Sequence, residues 1–379
     1  MMNQIKDAAM LLSLQIPELV LGEDTALDLP DYLHRLKIEK PLIVTDQGLV
    51  KAGHAARVIE SFGRAKAPAF FDSTRENPTA DCVDRATRVF VENGCDSVVA
   101  LGGGSVIDTA KLTAVTATHG GRASEYLGQS QKITNKACPI VAIPTTAGTG
   151  SEASPGAGIH PSSTQMSRGI NSRFVVPRLA ICDPSFTKTL PPRLIAATGL
   201  DALSHCIEGY LAAGDHPMID MIALEGIRII RHDLRRTVEE NDIQSRSQMM
   251  LAAFYGGVAI GKGLGAAHSI AISCGDQDLH HGVLSALGLV ACLDRLDFEI
   301  ADRCAPVKEE LGLDPRASLS DHMRSLMKAL GLPTSLTAAG YRLPDMGSLA
   351  LACSESHFNR TSRVQFKPAD FNRMVASIL

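Results

Sequence analysis

The chain of 379 residues is 45% hydrophobic and 21% charged, with a formal charge of −4 at neutral pH, an ordinary globular composition long enough for two domains with cores of their own. Its charges form no long like-sign block, so nothing marks a nucleic-acid or anionic-membrane partner, and a small-molecule partner is expected. The nine cysteines are odd in number, scattered and never spaced C-x-x-C, which reads as reduced thiols in a cytoplasmic protein.

The N-terminal stretch "MMNQIKDAAMLLSLQIPELVLGED" has Asp7 early, a short apolar run and no A-x-A site, which makes it a poor signal peptide. No segment approaches the roughly 20 apolar residues of a membrane span. From residue 41 the chain alternates between two periods. "PLIVTD" (41 to 46) is a buried-strand pattern, "GLVKAGHAARVIESFG" is helical, "APAFFD" is strand-like, and "ADCVDRATRVFVENG" is an amphipathic helix ended by Gly94. "DSVVALGGGSVIDTAKLTAVTATHGG" reads as strand, glycine turn and helix, and "CPIVAIPTTAGTGSE" as a strand entering a polar turn. Such alternation predicts an α/β domain built on a parallel sheet, with ligands beyond the strand C-termini. After the proline-rich stretch ending at Pro191 and Pro192, long amphipathic runs take over at 193 to 213, 217 to 239 and 244 to 260. An all-α C-terminal domain is expected, with the boundary near 185 to 192.

Three stretches carry chemistry. In "VVALGGGSVIDTAK", Gly102, Gly103, Gly104 and Ser105 stand between a strand and a helix start. Free N–H groups there make a phosphate seat, and the alternative is a tight βα turn without ligand. The spacing is not G-x-G-x-x-G, so this is no standard Rossmann turn. The turn "IPTTAGTGSE" offers the hydroxyls of Thr145, Thr146, Thr149 and Ser151 as contacts to a dinucleotide, or as plain turn chemistry. Asp46 closes a strand where a carboxylate can accept from a ribose diol and repel a 2′-phosphate, and it could equally cap the next helix. In "GLDALSHCIEGYLAAG", Asp201 and His205 are four residues apart, on one face of a helix. "GLGAAHSIAISCGDQDLHHGVLSALGL" adds His268, His280 and His281. One carboxylate and several imidazoles form a donor set for a divalent transition metal with an open position. The alternative is a capping aspartate and unrelated surface histidines.

The chain resembles the iron-containing, or group III, alcohol dehydrogenase family over nearly its whole length. The resemblance rests on "LIVTDQGLVKAG", "NPT" at 77 to 79, "DSVVALGGGSVIDTAK", "PIVAIPTTAGTGSE", "AICDPSF", "LPPRLIAATGLDALSHCIEGY", "GLGAAHS" and "HHG". It implies a dinucleotide-binding α/β domain over 1–188, a helical metal-binding and substrate domain over 189–379, and an active cleft between them. It implies Asp201, His205, His268 and His281 as metal ligands. It implies cofactor contacts from Asp46, Gly102, Gly103, Gly104, Ser105, Thr145, Thr146 and Thr149. The activity implied is hydride transfer between NAD(P)(H) and a small alcohol, aldehyde or ketone, with a divalent ion as Lewis acid. Fe2+ is the family expectation and Zn2+ suits the same donors; NAD is expected over NADP, and a homodimer follows family habit. Relatives commonly carry a second histidine four residues after the third ligand, where this chain has Ile272. The proton relay is then expected from the substrate, from solvent or from a neighbour such as His280. Two other readings remain: a cyclase or lyase like dehydroquinate synthase, and a cofactor-binding protein that has lost turnover.

Overall fold

The computed structural model describes residues 14–379 apart from 64–66, 164 and 278. The stretch weighed above as a leader lies, through residue 13, outside the described residues. Among the described residues there are eight strands: β1 (Glu18–Leu21), β2 (Pro41–Asp46), β3 (Ala69–Thr74), β4 (Ser97–Gly102), β5 (Ile140–Pro144), β6 (Gly156–Ile159), β7 (Arg168–Asn171) and β8 (Leu179–Cys182). Six of them form one sheet in the order β1-β8-β5-β4-β2-β3, with every pair parallel. The strands are apolar because helices cover both faces: all six residues of β4 and all five of β5 are buried.

The chain leaves β2 for the edge strand β3 and returns to β4 on the other side of β2. The crevice at that reversal is where a parallel sheet binds its ligands. Its rim is formed by the C-terminal ends of β2, β4 and β5, and Gly102 lies opposite Pro144 in register. Asp46, the 102 to 105 turn and the 145 to 149 turn therefore emerge side by side.

Sequence and structure differ at three places in this half. The run "GLVKAGHAARVIESFG" forms two short helices, Gln47–Lys51 and His54–Glu60, broken at Gly53 with φ of 80°. A positive φ of that size is cheap only for glycine, so the helical period continues across a backbone that does not. The strands β1 and β8 and the antiparallel hairpin of β6 and β7 were not foreseen. Each is four residues long, too short for periodicity to declare itself.

Helices fill the rest of the chain from Pro192 on. The helix Pro192–Leu211 is buried at every position from Ile195 to Leu211, so it is apolar on all sides rather than along a stripe. It is wrapped by the helices Pro217–Glu240, Ile243–Ile260 and His281–Glu299. A carboxylate and an imidazole in such a helix are buried by architecture, and each must find a partner. Among the described residues no helix is long and apolar enough to cross a membrane. All nine cysteines are free thiols.

Candidate metal and cofactor site

Asp201 and His205 lie on the central helix Pro192–Leu211, His268 on the helix Ala266–Ser273, and His281 is the first residue of the helix His281–Glu299. One ligand atom from each of the four lies within 4.8 Å of all the others. His281 Nε2 is 3.8 Å and His205 Nε2 4.0 Å from Asp201 Oδ1, too far for hydrogen bonds. A tetrahedral ion with bonds near 2.1 Å spaces its ligand atoms about 3.4 Å apart, so this separation suits atoms that share an ion. The rings of His205 and His268 stack at 4.8 Å, and those of His268 and His281 lie 5.4 Å apart. Asp201, His205 and His268 are buried, whereas His281 keeps 42% of its side chain exposed. By surface area the cluster meets solvent only at His281, and an open position of that kind suits a catalytic site.

The atoms that do not face the cluster are held from outside. His205 Nδ1 lies 3.2 Å from the carbonyl of Gly148, and His268 Nδ1 lies 2.5 Å from Glu208 Oε2. Ser285 Oγ donates to Asp201 Oδ1 at 2.9 Å. His268 Nε2, fully buried, has no hydrogen-bond partner. Orphaned buried nitrogens are rare and costly, and here the orphan is the ring nitrogen opposite the one Glu208 holds. The donor set fits a divalent metal on this observation.

Electrostatics agree with that fit. Burial opposes ionisation of Asp201, but His205, His281, His268 and the Ser285 hydrogen bond outweigh it and hold the carboxyl below its usual range. Burial drives His205 down to about 4 against the pull of Asp201, and desolvation likewise lowers His281. Both imidazoles are neutral at neutral pH, with lone pairs to give.

The cofactor-type residues converge as the sheet requires. The helix Gly104–His119 starts at Gly103 without a side-chain cap, so its first amides point outward with the positive end of the helix dipole. A Cβ on Gly104 would sit 2.7 Å from Thr149 Cγ2, and one on Gly103 would sit 3.4 Å from Thr146 Oγ1. The two turns are thus in contact across Thr146 and Thr149, while Thr145 is buried. Asp46 caps the helix Gln47–Lys51 by accepting from Leu49 N at 2.9 Å through Oδ1. His280 caps the helix His281–Glu299, its Nδ1 accepting from Gly282 N at 3.1 Å. Ile272 is half-buried, one turn after His268 and one residue before that helix ends.

Several functional contacts escaped the sequence reading. Glu208 stands seven residues after Asp201 and three after His205, a face-sharing spacing that was visible and unread. The carbonyl of Gly148 has no side-chain signal at all. Phe358 meets His268 edge-on at 5.6 Å, with His357 over Phe358 at 3.8 Å. A cavity of about 740 Å³ lies between Arg75, Arg85, His160 and Gln165 of the first half and Gly275 and Asp276 of the second. None of the four converging ligands lines it; Gly275 and Asp276 of its wall follow the helix that carries His268.

A buried ionic group ties the helix Gly104–His119 to the segment that follows the second turn. Lys111 Nζ donates to Ser154 O at 2.8 Å and to Gly156 O at 2.6 Å. Asp108, three residues earlier on the same helix, accepts from Ser151 Oγ at 3.0 Å and Gly158 N at 2.8 Å. Burial lowers Lys111 to about 8 and raises the adjacent Glu152 to about 7 from 4.5. Because the folded state holds the Glu152 proton more tightly than the unfolded state, this carboxyl's stabilising contribution is complete below about pH 4.5 and is lost as pH rises through about 7. The stability of the wild type relative to Glu152→Gln is therefore expected to fall between pH 4.5 and pH 7.5 in urea unfolding of the metal-free protein. A flat difference across that range would mean that Glu152 is already ionised at the low end.

The sequence profile described as iron-containing alcohol dehydrogenase matches residues 17–184, and that of the C-terminal region of the Fe-containing alcohol dehydrogenase family matches residues 195–378. The chain is 38% identical over 355 residues to a 4-hydroxybutyrate dehydrogenase of Cupriavidus necator, covering 90% of this chain and 92% of that one. It is 33% identical over 347 residues to an NAD-dependent methanol dehydrogenase of Bacillus methanolicus, covering 88% and 91%. Among solved structures, a 1,3-propanediol oxidoreductase superposes with a TM-score of 0.91 at 28% identity, covering 98% of this chain and 100% of that one. A sulfoacetaldehyde reductase from Bifidobacterium kashiwanohense in complex with NAD+ gives a TM-score of 0.89 at 25% identity, covering 98% and 99%.

Proposed function

This chain belongs to the iron-containing alcohol dehydrogenase family, an oxidoreductase acting on alcohols, and from that premise we propose which of its residues do the work. Asp201, His205, His268 and His281 hold a divalent ion. Asp46, Gly102, Gly103, Gly104, Ser105, Thr145, Thr146 and Thr149 hold NAD(H). The reaction is the interconversion of a small alcohol with its aldehyde or ketone. The observation that carries this reading is the unpartnered buried Nε2 of His268 within a four-ligand cluster.

When bound, the ion supplies Lewis-acid polarisation of a substrate oxygen, and the nicotinamide supplies or accepts the hydride. The chain's own groups do the rest. The helix start at Gly104 and the turn hydroxyls of Thr146 and Thr149 seat the pyrophosphate side of the dinucleotide. Gly148, in the same turn, holds His205 by its carbonyl, so the turn proposed to grip the cofactor also aims a proposed metal ligand. His280 is the proposed relay for the alcohol proton; taking that proton at Nε2 requires the ring hydrogen to sit on Nδ1, so the Gly282 N contact to Nδ1 has to open for the transfer. Three nitrogens and one carboxylate suit both Fe2+ and Zn2+; Fe2+ is proposed, as the family's metal.

The test is elemental analysis of anaerobically purified protein, with nicotinamide absorbance followed against methanol, 1,3-propanediol, 4-hydroxybutyrate and their aldehydes. Net oxidation or reduction with stoichiometric metal is expected. Bound metal and cofactor with no net absorbance change would move the protein to the cyclase reading or to lost turnover.

Asp46 sets a further expectation. Its carboxylate stands at the end of β2, with that of Asp72 nearby, held by Gln47 Nε2 at 2.7 Å. Two negative charges at this rim oppose a 2′-phosphate, so kcat/KM with NADH should exceed that with NADPH by about tenfold or more, one tenfold step being ~1.4 kcal/mol. Asp46→Gly should narrow or invert the ratio while costing only a few tenths of a kcal/mol in capping. A wild type that prefers NADPH would remove Asp46 from this role.

A further inference from the structure

We propose that Glu208 is the positioning residue of the metal cluster: it holds the ring of His268 in the Nδ1–H tautomer, so that the Nε2 lone pair faces Asp201, His205 and His281. Glu208 is on the central helix Pro192–Leu211, one turn beyond His205, and its side chain is buried. Its two oxygens are engaged from a different part of the chain. Oε1 accepts from Ala267 N at 2.8 Å, and Oε2 accepts from His268 N at 3.0 Å and from His268 Nδ1 at 2.5 Å.

Those three bonds do two things at once. The helix Ala266–Ser273 begins at Gly265, which has no side chain to cap it. Glu208 takes that place from outside, satisfying two first-turn amides and putting a negative charge at the positive end of the helix. Backbone amides only donate, so with Glu208 as the carboxylate both oxygens act as acceptors, and the third bond is a donation from the ring. The proton is thereby fixed on Nδ1. Nε2 is left as a bare acceptor, in keeping with its having no hydrogen-bond partner.

There is little freedom to do this otherwise. A Cβ on Gly265 would come within 2.9 Å of Glu208 Oε1, and Phe358 closes one side of the His268 ring. Hydrogen bonds from a carboxylate to the far nitrogen of a liganding histidine raise its basicity and set its direction, and their loss costs about 10- to 100-fold in metal affinity. Glu208 touches neither substrate nor cofactor in this scheme; it acts through His268.

The inference rests on the ligand set proposed above, and its test separates the two. Selectively 15N-histidine-labelled metal-free protein reports the His268 tautomer without any metal, assigned by its absence in His268→Ala. Co2+ binding, read by chelator competition and by visible absorption, reports the site. In the wild type, His268 is expected as Nδ1–H. In Glu208→Gln the tautomer population shifts toward Nε2–H, Co2+ affinity falls 10- to 100-fold, and the Co2+ spectrum changes. Glu208→Asp keeps the carboxylate, is expected to recover part of the affinity, and serves as the test if the glutamine variant does not fold. An unchanged His268 tautomer in Glu208→Gln, or unchanged Co2+ affinity and spectrum in both variants, overturns the role of Glu208. Absence of Co2+ binding in the wild type, with the tautomer still dependent on Glu208, overturns the ligand set instead.

Discussion

Replacing His205 or His281 with alanine is expected to strip most of the divalent metal from the protein and to lower kcat/KM by about 10³, the equivalent of losing several kcal/mol of Lewis-acid stabilisation. The expectation follows from the sharing of Asp201 Oδ1, which lies within 4.0 Å of both imidazole nitrogens while bonding to neither. The informative comparison is the adjacent residue. His280 is part of the same "HHG" run, but its ring caps a helix through Gly282 N. His280→Ala should cost about 1 kcal/mol of stability, the usual value of a lost cap, and keep most of the metal. As the proposed proton relay, its loss should appear in the pH dependence of kcat. Metal content by elemental analysis on the three variants decides the matter. Full retention in His281→Ala with loss in His280→Ala would mean that the neighbouring histidine is the ligand.

The choice between these two neighbours shows where sequence stops. Asp201 and His205 were legible because the four-residue spacing and the helical period agree, and the helix formed as expected. The glycine turn and the threonine turn were legible as strand ends, and a parallel sheet places strand ends together whatever their order in the chain. What stayed hidden depends on distant pairing. The strand β1 exists because Glu18 pairs with Leu179, far along the chain. Glu208 receives its donors from residues 59 and 60 positions away. Lys111, three residues after Asp108, has the spacing of a solvated helix face, yet it is wholly buried because the turn at 154 to 156 folds over its ammonium. For Asp46 the sequence left two roles open; the structure shows the cap, and that cap occupies Oδ1 alone.

The joint between the two halves of the molecule carries the second large effect. The turn after β5 is wedged against the helix Ile243–Ile260 so closely that a Cβ on Gly257 would meet Gly150 O at 2.1 Å, and a Cβ on Gly150 would meet Gly257 Cα at 2.4 Å. These are backbone atoms, which cannot swing aside as a flexible side chain would. Gly150 has φ of 62° and its carbonyl accepts from Ala153 N and Ser154 N, so the turn is stiff on its far side as well. Gly257→Ala therefore has to push the whole turn outward, at the ~1–3 kcal/mol typical of overpacking. The displaced turn carries the Gly148 carbonyl away from His205 Nδ1 and Thr149 away from Gly104, so one methyl group should weaken metal and dinucleotide together. Thermal unfolding, NADH fluorescence titration and Co2+ competition on the same preparation measure the three effects. Gly347→Ala is the control: the nearest atom to its Cβ is Asp345 Oδ2 at 3.4 Å, and an alanine in the first turn of the helix Met346–Glu355 should be neutral or slightly stabilising. If Gly257→Ala instead matches the control in stability and binds both ligands as the wild type does, the two halves are not coupled through this turn, and the alignment of His205 must come from its own helix.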